Sequence, residues 1–180
     1  MTTHVVLLRG INVGGKNPLP MKELTAILEE LGAREVRTYI QSGNAVCVGP
    51  EGEGAALARR IRNAVSARCG FEPQVLVLPP ADIETAMRKN PFAEADGAPR
   101  SVHVGFLASV PANPDLRALE DLRSDSERFQ LVGGFFFLHA PEGMARSKLA
   151  ARAEKHLGVT TTFRNWRTVR ALQGLAAEVA

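Results

Sequence analysis

EVRTYIQSGNAVCV, residues 35–48, decides how this chain is assembled. EVRTYIQ (35–41) alternates, with Val36 and Ile40 among β-forming residues; SGN (42–44) is turn chemistry; AVCV (45–48) reads as a returning strand. The segment is a β-hairpin, and its flanks settle the rest. Upstream, HVVLLR (4–9) is a short, β-branched apolar run that reads as a buried strand. Between the two, Met21, Leu24, Ile27, Leu28 and Leu31 recur at helical spacing, and Gly32 supplies a stop. Downstream, GPEGEG (49–54) is a polar connector. Leu57, Ile61, Ala64 and Val65 then mark a second helix, and QVLVL (74–78) is a fourth strand closed by Pro79 and Pro80. The order β-α-β-β-α-β is the split βαβ plan of a ferredoxin-like sandwich.

The second half repeats the order of elements but not the letters. SVHVGFL (101–107) reads as a strand, and Leu116, Leu119 and Leu122 as one face of a helix. RFQLV (128–132) and FFFLH (135–139) are strands joined through Gly133-Gly134. RSKLAARAEKHLG (146–158) is a helix, VTTTF (159–163) a short strand, and NWRTVRALQGLAAEV (165–179) a closing helix. The expected fold is α+β: two ferredoxin-like (split βαβ) halves in tandem, with antiparallel sheets and helices packed on one face. Residues 1–80 form the first half and 81–100 a linking helix and loop. Residues 101–180 form the second half, with a C-terminal helix.

Composition agrees with an ordinary globular protein of 180 residues, 45% hydrophobic and 23% charged. No apolar run approaches the roughly 20 residues a membrane span needs. MTTHVVLLRG lacks the basic and apolar regions of a signal peptide. Cys47 and Cys69 have no CxxC or metal-ligand spacing. A cytoplasmic, reduced protein without membrane contacts is expected; its oligomeric state is not set by these features. The net charge of +3 and pI near 9.2 permit a phosphate or nucleic-acid partner without demanding one.

The loop after the first strand, RGINVGGKN (9–17), fits GxxxxGK literally. It is a poor nucleotide loop. Asn17 stands where a Mg²⁺-binding hydroxyl belongs, and Pro18 and Pro20 push the helix start to near Met21. The loop can still hold an anion. Gly14 and Gly15 expose backbone N–H groups, and Arg9 and Lys16 flank them. The plainer alternative is that these glycines only permit positive φ in a long connection.

Topology bears on the choice. The crossover makes the first two strands parallel, so RGINVGGKN and TYIQSGN meet at one end of the sheet. Arg9, Asn12, Lys16, Asn17, Tyr39, Gln41, Ser42 and Asn44 would share a polar surface suited to an oxygen-rich ligand. In that reading Arg9 and Lys16 supply charge, and Asn12, Gln41 and Asn44 orient the ligand. The competing reading is mutual capping, with Asn44 in the left-handed place of the hairpin turn.

RGINVGGKN at 9–17, Met21, Leu31-Gly32 and VRTYIQSGNAV at 36–46 closely resemble the family called domain of unknown function 1697. So do PEGMARSKL at 141–149 and TTFRNWRTVRAL at 161–172. The resemblance to this uncharacterised bacterial family covers nearly the whole chain. It implies an α+β, ferredoxin-like arrangement and no particular activity. Its hallmarks fall on Arg9, Asn12, Lys16, Tyr39, Gln41, Ser42, Asn44, Ser147, Lys148, Arg164, Asn165 and Trp166. One departure is that Ala45 and Cys47 stand where larger apolar residues are common, which bears on packing.

Ser147, Lys148, Arg164, Asn165 and Trp166 form a second candidate set within a basic C-terminal block. That block could track a nucleic-acid backbone, with Trp166 stacking a base; the plainer reading makes Asn165 an N-cap and Trp166 a core residue. GGFFFLHA (133–140) partly matches the aromatic octamer of RNA-recognition domains. His4, His103, His139 and His156 have no ligand spacing, so neither a metal nor a cofactor is expected. His103 and His139 could be neighbours in one sheet. No pairing of nucleophile with base is evident, which leaves enzymatic activity undecided. The functional expectation is a small anionic ligand at the RGINVGGKN/TYIQSGN end. The alternatives are a nucleic-acid-binding module using the arginine-rich block, or a structural or protein-interaction domain without a ligand.

Overall fold

The computed structural model describes residues 1–52 and 54–179; Glu53 of the GPEGEG connector and the terminal Ala180 lie outside the described residues. The chain divides into two compact units, one of residues 1–85 with the stretch from Arg170 onward, the other Ala86–Val169. The first contains β1 (Thr2–Arg9), α1 (Met21–Glu30), β2 (Arg34–Tyr39), β3 (Asn44–Gly49), α2 (Gly54–Cys69) and β4 (Gln74–Leu78). The chain passes from this unit within α3 (Pro80–Lys89). The second unit contains β5 (Val102–Leu107), α4 (Leu116–Leu122), β6 (Arg128–Val132), β7 (Phe135–His139), α5 (Lys148–Leu157) and β8 (Thr161–Asn165). It ends within α6 (Trp166–Glu178). The linking loop holds a 3₁₀ turn at Ala93–Gly97.

Each unit is built on a four-stranded antiparallel sheet, in the orders β2-β3-β1-β4 and β6-β7-β5-β8. The fold is α+β, two similar halves in tandem, with the strand order of a split βαβ in both. Among the described residues no helix is long and apolar enough to cross a membrane.

Alternation along the central strands places the core. On β1, Val6 and Leu8 join Ala45, Cys47 and Val77 from neighbouring strands. They meet Leu24, Ile27 and Leu28 of α1 and Leu57, Ile61 and Val65 of α2. Val5 and Leu7, on the opposite face, are fully buried as well. On the second sheet Leu107, Phe136 and Leu138 pack with Leu119 of α4 and Leu149, Ala153 and Leu157 of α5.

Strand register makes a repeat visible that the bare letters hide. His4 on β1 pairs with Cys47, three residues before Pro50-Glu51-Gly52. His103 on β5 pairs with Leu138, three residues before Pro141-Glu142-Gly143. The same histidine and the same Pro-Glu-Gly loop thus stand at one end of both sheets.

Two residues along, the halves solve packing oppositely. Val6 faces Ala45 in the first sheet; Gly105 faces Phe136 and Phe163 in the second. Those two rings meet edge-on at 6.1 Å. A Cβ at Gly105 would stand 2.9 Å from Thr161 Cγ2 and 3.0 Å from Phe163 Cε1. Gly105→Ala is therefore expected to overpack the second core and cost about 1–3 kcal/mol. A lower urea midpoint at unchanged slope would show it.

Candidate functional site

The loop after β1 is a miniature hairpin. Asn12 N donates to Asn17 O at 3.0 Å, and Lys16 N to Val13 O at 3.0 Å. Gly14 and Gly15 close it with φ of 57° and 74°. Two successive positive φ values are the signature of the tight turn whose twist matches a β-ribbon, and glycine adopts them without steric cost. The first helix begins at Met21 with Pro20 at its N-cap, so no helix terminus points at Lys16. The nucleotide-loop geometry is absent for the reason the prolines suggest.

RGINVGGKN and TYIQSGN do meet. Leu8 N donates to Gly43 O at 2.8 Å. Asn12 Nδ2 donates to Gln41 O at 2.7 Å and to Leu19 O at 2.8 Å, while Asn12 Oδ1 accepts from Leu19 N at 2.7 Å. This one side chain, acting like a piece of backbone, joins the loop, the run into α1 and the hairpin. Asn17 Nδ2 donates to Gly10 O at 2.8 Å. The buried Asn44 donates to Tyr39 O at 3.2 Å and to Ser42 Oγ at 2.9 Å. The three asparagines therefore hold the loops together, the capping role weighed above. Asn44 is not the left-handed residue of the turn. Ile40 (φ 47°) and Gly43 (φ 83°) take those places. Gly43 is required there, because a Cβ would stand 2.7 Å from Leu8 Cβ. A β-branched residue at positive φ costs about 1–3 kcal/mol, and Ile40 is also 53% exposed.

Lys16, Gln41 and Ser42 face solvent at this end, beside Val13, which is 67% exposed. The Gly14 and Gly15 amides carry no hydrogen bond among the described residues, and the Lys16 ammonium has no partner there. Arg9 is half-buried at the end of β1, and Tyr39 half-buried at the end of β2.

Most residues of the second candidate set make contacts within the fold. Ser147 Oγ caps α5 by accepting from Ala150 N at 2.9 Å, and Asn165 Oδ1 accepts from Thr168 N at 2.9 Å at the start of α6. Trp166 is only 7% exposed, and Arg164 donates to Phe163 O. Phe136 and Phe137 are fully buried, which takes them out of any base-stacking surface. Lys148 lines a cavity of 380 Å³ with Arg146, Arg123 and Glu127. His103 and His139 lie on paired strands one residue out of step, since His103 faces Leu138; their side chains point to opposite faces. Among the described residues no cluster of His, Cys, Asp and Glu could hold a metal.

Sequence reasoning missed a second region, at the Pro-Glu-Gly end of the second sheet. An open cavity of 680 Å³ is lined there by Ala98, Pro99, Arg100, Ser101, the run 140–143 and Arg167. The repeated Pro-Glu-Gly was the available signal. Close by, His103 is 9% exposed and its Nδ1 has no hydrogen-bond partner. Burial pulls its imidazole from the ordinary 6.5 down to about 4, opposed by a hydrogen bond with the Ser101 backbone. Burial pushes the Cys47 thiol up to about 11, so it is protonated at neutral pH.

Two tests follow from this geometry. Asn12→Ala removes three hydrogen bonds and strands the carbonyls of Leu19 and Gln41; a loss of about 1–3 kcal/mol is expected in urea unfolding. For His103, the unfolded chain takes up a proton near pH 6.5 and the folded chain only near 4. Stability is therefore full above about pH 6.5 and falls as pH drops towards 4. A gap of about 2.5 pH units, at about 1.4 kcal/mol each, amounts to roughly 3 kcal/mol. Unfolding curves across that range should show the decline, and His103→Gln should flatten it. An unchanged slope in the variant would assign the proton to another group.

Comparison with known proteins is consistent with this architecture. Among curated proteins none matches the chain. Among solved structures, a conserved bacterial protein from Streptococcus pneumoniae superposes with a TM-score of 0.73 at 22% identity, covering 97% of this chain and 98% of that one. At that identity the likeness is one of fold. The model of a family described as "Protein of unknown function (DUF1697)" matches residues 1–137. With RGINVGGKN and the TYIQSGN hairpin inside the matched span, the chain belongs to the DUF1697 family.

Proposed function

We propose that the RGINVGGKN/TYIQSGN end of the first unit binds a small phosphate- or carboxylate-bearing molecule, and that the protein works in the cytoplasm. One observation carries the binding reading: the unbonded amides of Gly14 and Gly15 stand next to the unpaired Lys16 ammonium, on a turn that Asn12 holds in place. Adjacent N–H groups beside a cation are an anion-binding arrangement. Asn12, Asn17 and Asn44 shape this surface, and Lys16 with the two glycine amides makes the contact. Gln41 and Ser42 are the exposed polar groups on the hairpin side. The cytoplasmic reading rests on two free cysteines.

Charge-assisted hydrogen bonds are worth about 1.5–3 kcal/mol each. An open turn of this kind therefore implies an affinity near 4 kcal/mol, a dissociation constant of about 1 mM. A thermal-shift screen with inorganic phosphate, sugar phosphates and small carboxylates at several mM tests it, followed by amide NMR at Gly14 and Gly15. Lys16→Ala is expected to weaken the binding at least about fivefold, roughly 1 kcal/mol. Equal binding by the variant, or undisturbed glycine amides at saturation, would sink the proposal.

The exposed cations Arg146, Lys148, Arg152, Lys155 and Arg167 favour a second reading, a nucleic-acid backbone contact. It would show as affinity for short RNA or DNA that falls steeply with salt and is lost in Arg167→Ala, with Lys16→Ala unaffected.

A further inference from the structure

The two Pro-Glu-Gly loops occupy the same register, yet their surroundings differ in a way that points to a ligand. In the first unit the end is closed. His4 Nε2 lies 3.1 Å from Pro50 O, Arg60 donates to Leu31 O at 3.3 Å, and the cavity that His4, Pro50, Glu51, Gly52 and Arg60 line holds only 80 Å³. In the second unit the corresponding loop borders 680 Å³. That volume falls within the roughly 300–1,000 Å³ of small-molecule sites.

The walls of this larger cavity are set by the backbone. Ser101 N and Oγ both donate to Ala98 O, at 2.9 and 2.7 Å. Ala140 N donates to Ser101 O at 2.8 Å, and Gly143 N to Ala140 O at 3.0 Å. Two turns are thus tied side by side, with Pro99 and Pro141 limiting their freedom. Ala98, Pro99, Ala140 and Pro141 give small apolar surfaces. Arg100, Arg167 and Glu142 supply the charge, and none of the three has an ion-pair or hydrogen-bond partner among the described residues. Three other arginines pair with carboxylates: Arg68 reaches Glu30 at 2.6 Å, Arg123 reaches Glu120 at 2.7 Å, and Arg128 reaches Glu94 at 2.9 Å. Next to Ser101, the buried His103 has a backbone hydrogen bond with Ser101 and an Nδ1 without a partner among the described residues.

We propose that this cavity, between the turns 98–101 and 140–143 with Arg167, is a binding site for a monoanionic carboxylic acid with an apolar body. Two guanidiniums suit one carboxylate through forked hydrogen bonds. Glu142 leaves a net charge of +1 in the cavity and so disfavours a second negative charge on the ligand. The small apolar walls take the hydrocarbon part. The site lies in the second unit and is independent of the Lys16 turn.

The test uses the full chain and naphthalene-2-carboxylate as probe, followed by amide NMR and by calorimetry. Saturable shifts are expected at Ser101, Ala140 and Gly143 and not at Gly14 or Gly15. The double variant Arg100→Ala/Arg167→Ala should bind at least about tenfold more weakly, and Lys16→Ala should bind like the parent. Acetate and 2-naphthol, each carrying one half of the probe, should each bind at least about tenfold more weakly than the whole. Both arginines are exposed, so the variant is expected to fold; its amide spectrum away from the cavity checks this. The proposal is overturned if no shift appears at residues 98–101 and 140–143 up to about 10 mM probe. It is equally overturned if the folded double variant titrates like the parent, or if naphthol binds as well as the acid.

Discussion

The register of β1 against β3 is the constraint from which the first unit follows. Side chains alternate along a strand, so a slip of one residue would turn Val6 and Leu8 away from α1 and α2 and bring Val5 and Leu7 in their place. Both sets are buried, so apolarity alone does not choose between registers. The choice falls to specific contacts at the strand ends. At one end Leu8 N meets Gly43 O, at a glycine with no room for a Cβ. At the other, His4 reaches the carbonyl of Pro50. With the register set, the loop after β1 must lie against the β2–β3 turn, and Asn12 can clasp the two.

That clasp explains why the polar residues of these loops are so many and yet so little available to a ligand. A surface loop must satisfy its backbone groups without a ladder of neighbouring strands. Asn12, Asn17 and Asn44 do so by imitating peptide groups. The strain at Ile40 belongs to the same picture, because a chain that turns tightly enough to present Gln41 O to Asn12 holds residue 40 at positive φ. What remains outward-facing is narrow: two glycine amides, one ammonium, and the exposed side chains of Gln41 and Ser42.

Much of the fold could be read from the letters. The hairpin at 35–48 sits between two helical patterns, and only a few topologies accommodate that order. Asn44 misled because asparagine commonly takes the left-handed place in turns; here burial and a bond to Tyr39 O hold it in the strand, and Ile40, a residue rarely chosen for positive φ, does the turning. The clasping role of Asn12 stayed hidden for a related reason. Nothing in a sequence says whether an amide faces a ligand or a carbonyl 29 residues away. The paired Pro-Glu-Gly loops were on view throughout but meant little until strand pairing showed them at equal distance from His4 and His103. Register is a property of pairs of strands, and a linear reading treats strands singly.

The exchange of large and small residues at the centre of the two sheets has a further meaning. Val6 opposite Ala45, and Gly105 opposite Phe136, fill comparable space from opposite sides of the same strand pair. Neither half can accept the other's strand by itself. A β1 sequence placed at β5 would bring a valine into the gap between Phe136 and Phe163, and a β5 sequence placed at β1 would leave a hole above Ala45. The halves share a blueprint but are no longer interchangeable parts, and any recombination between them succeeds only if both strands of a pair travel together.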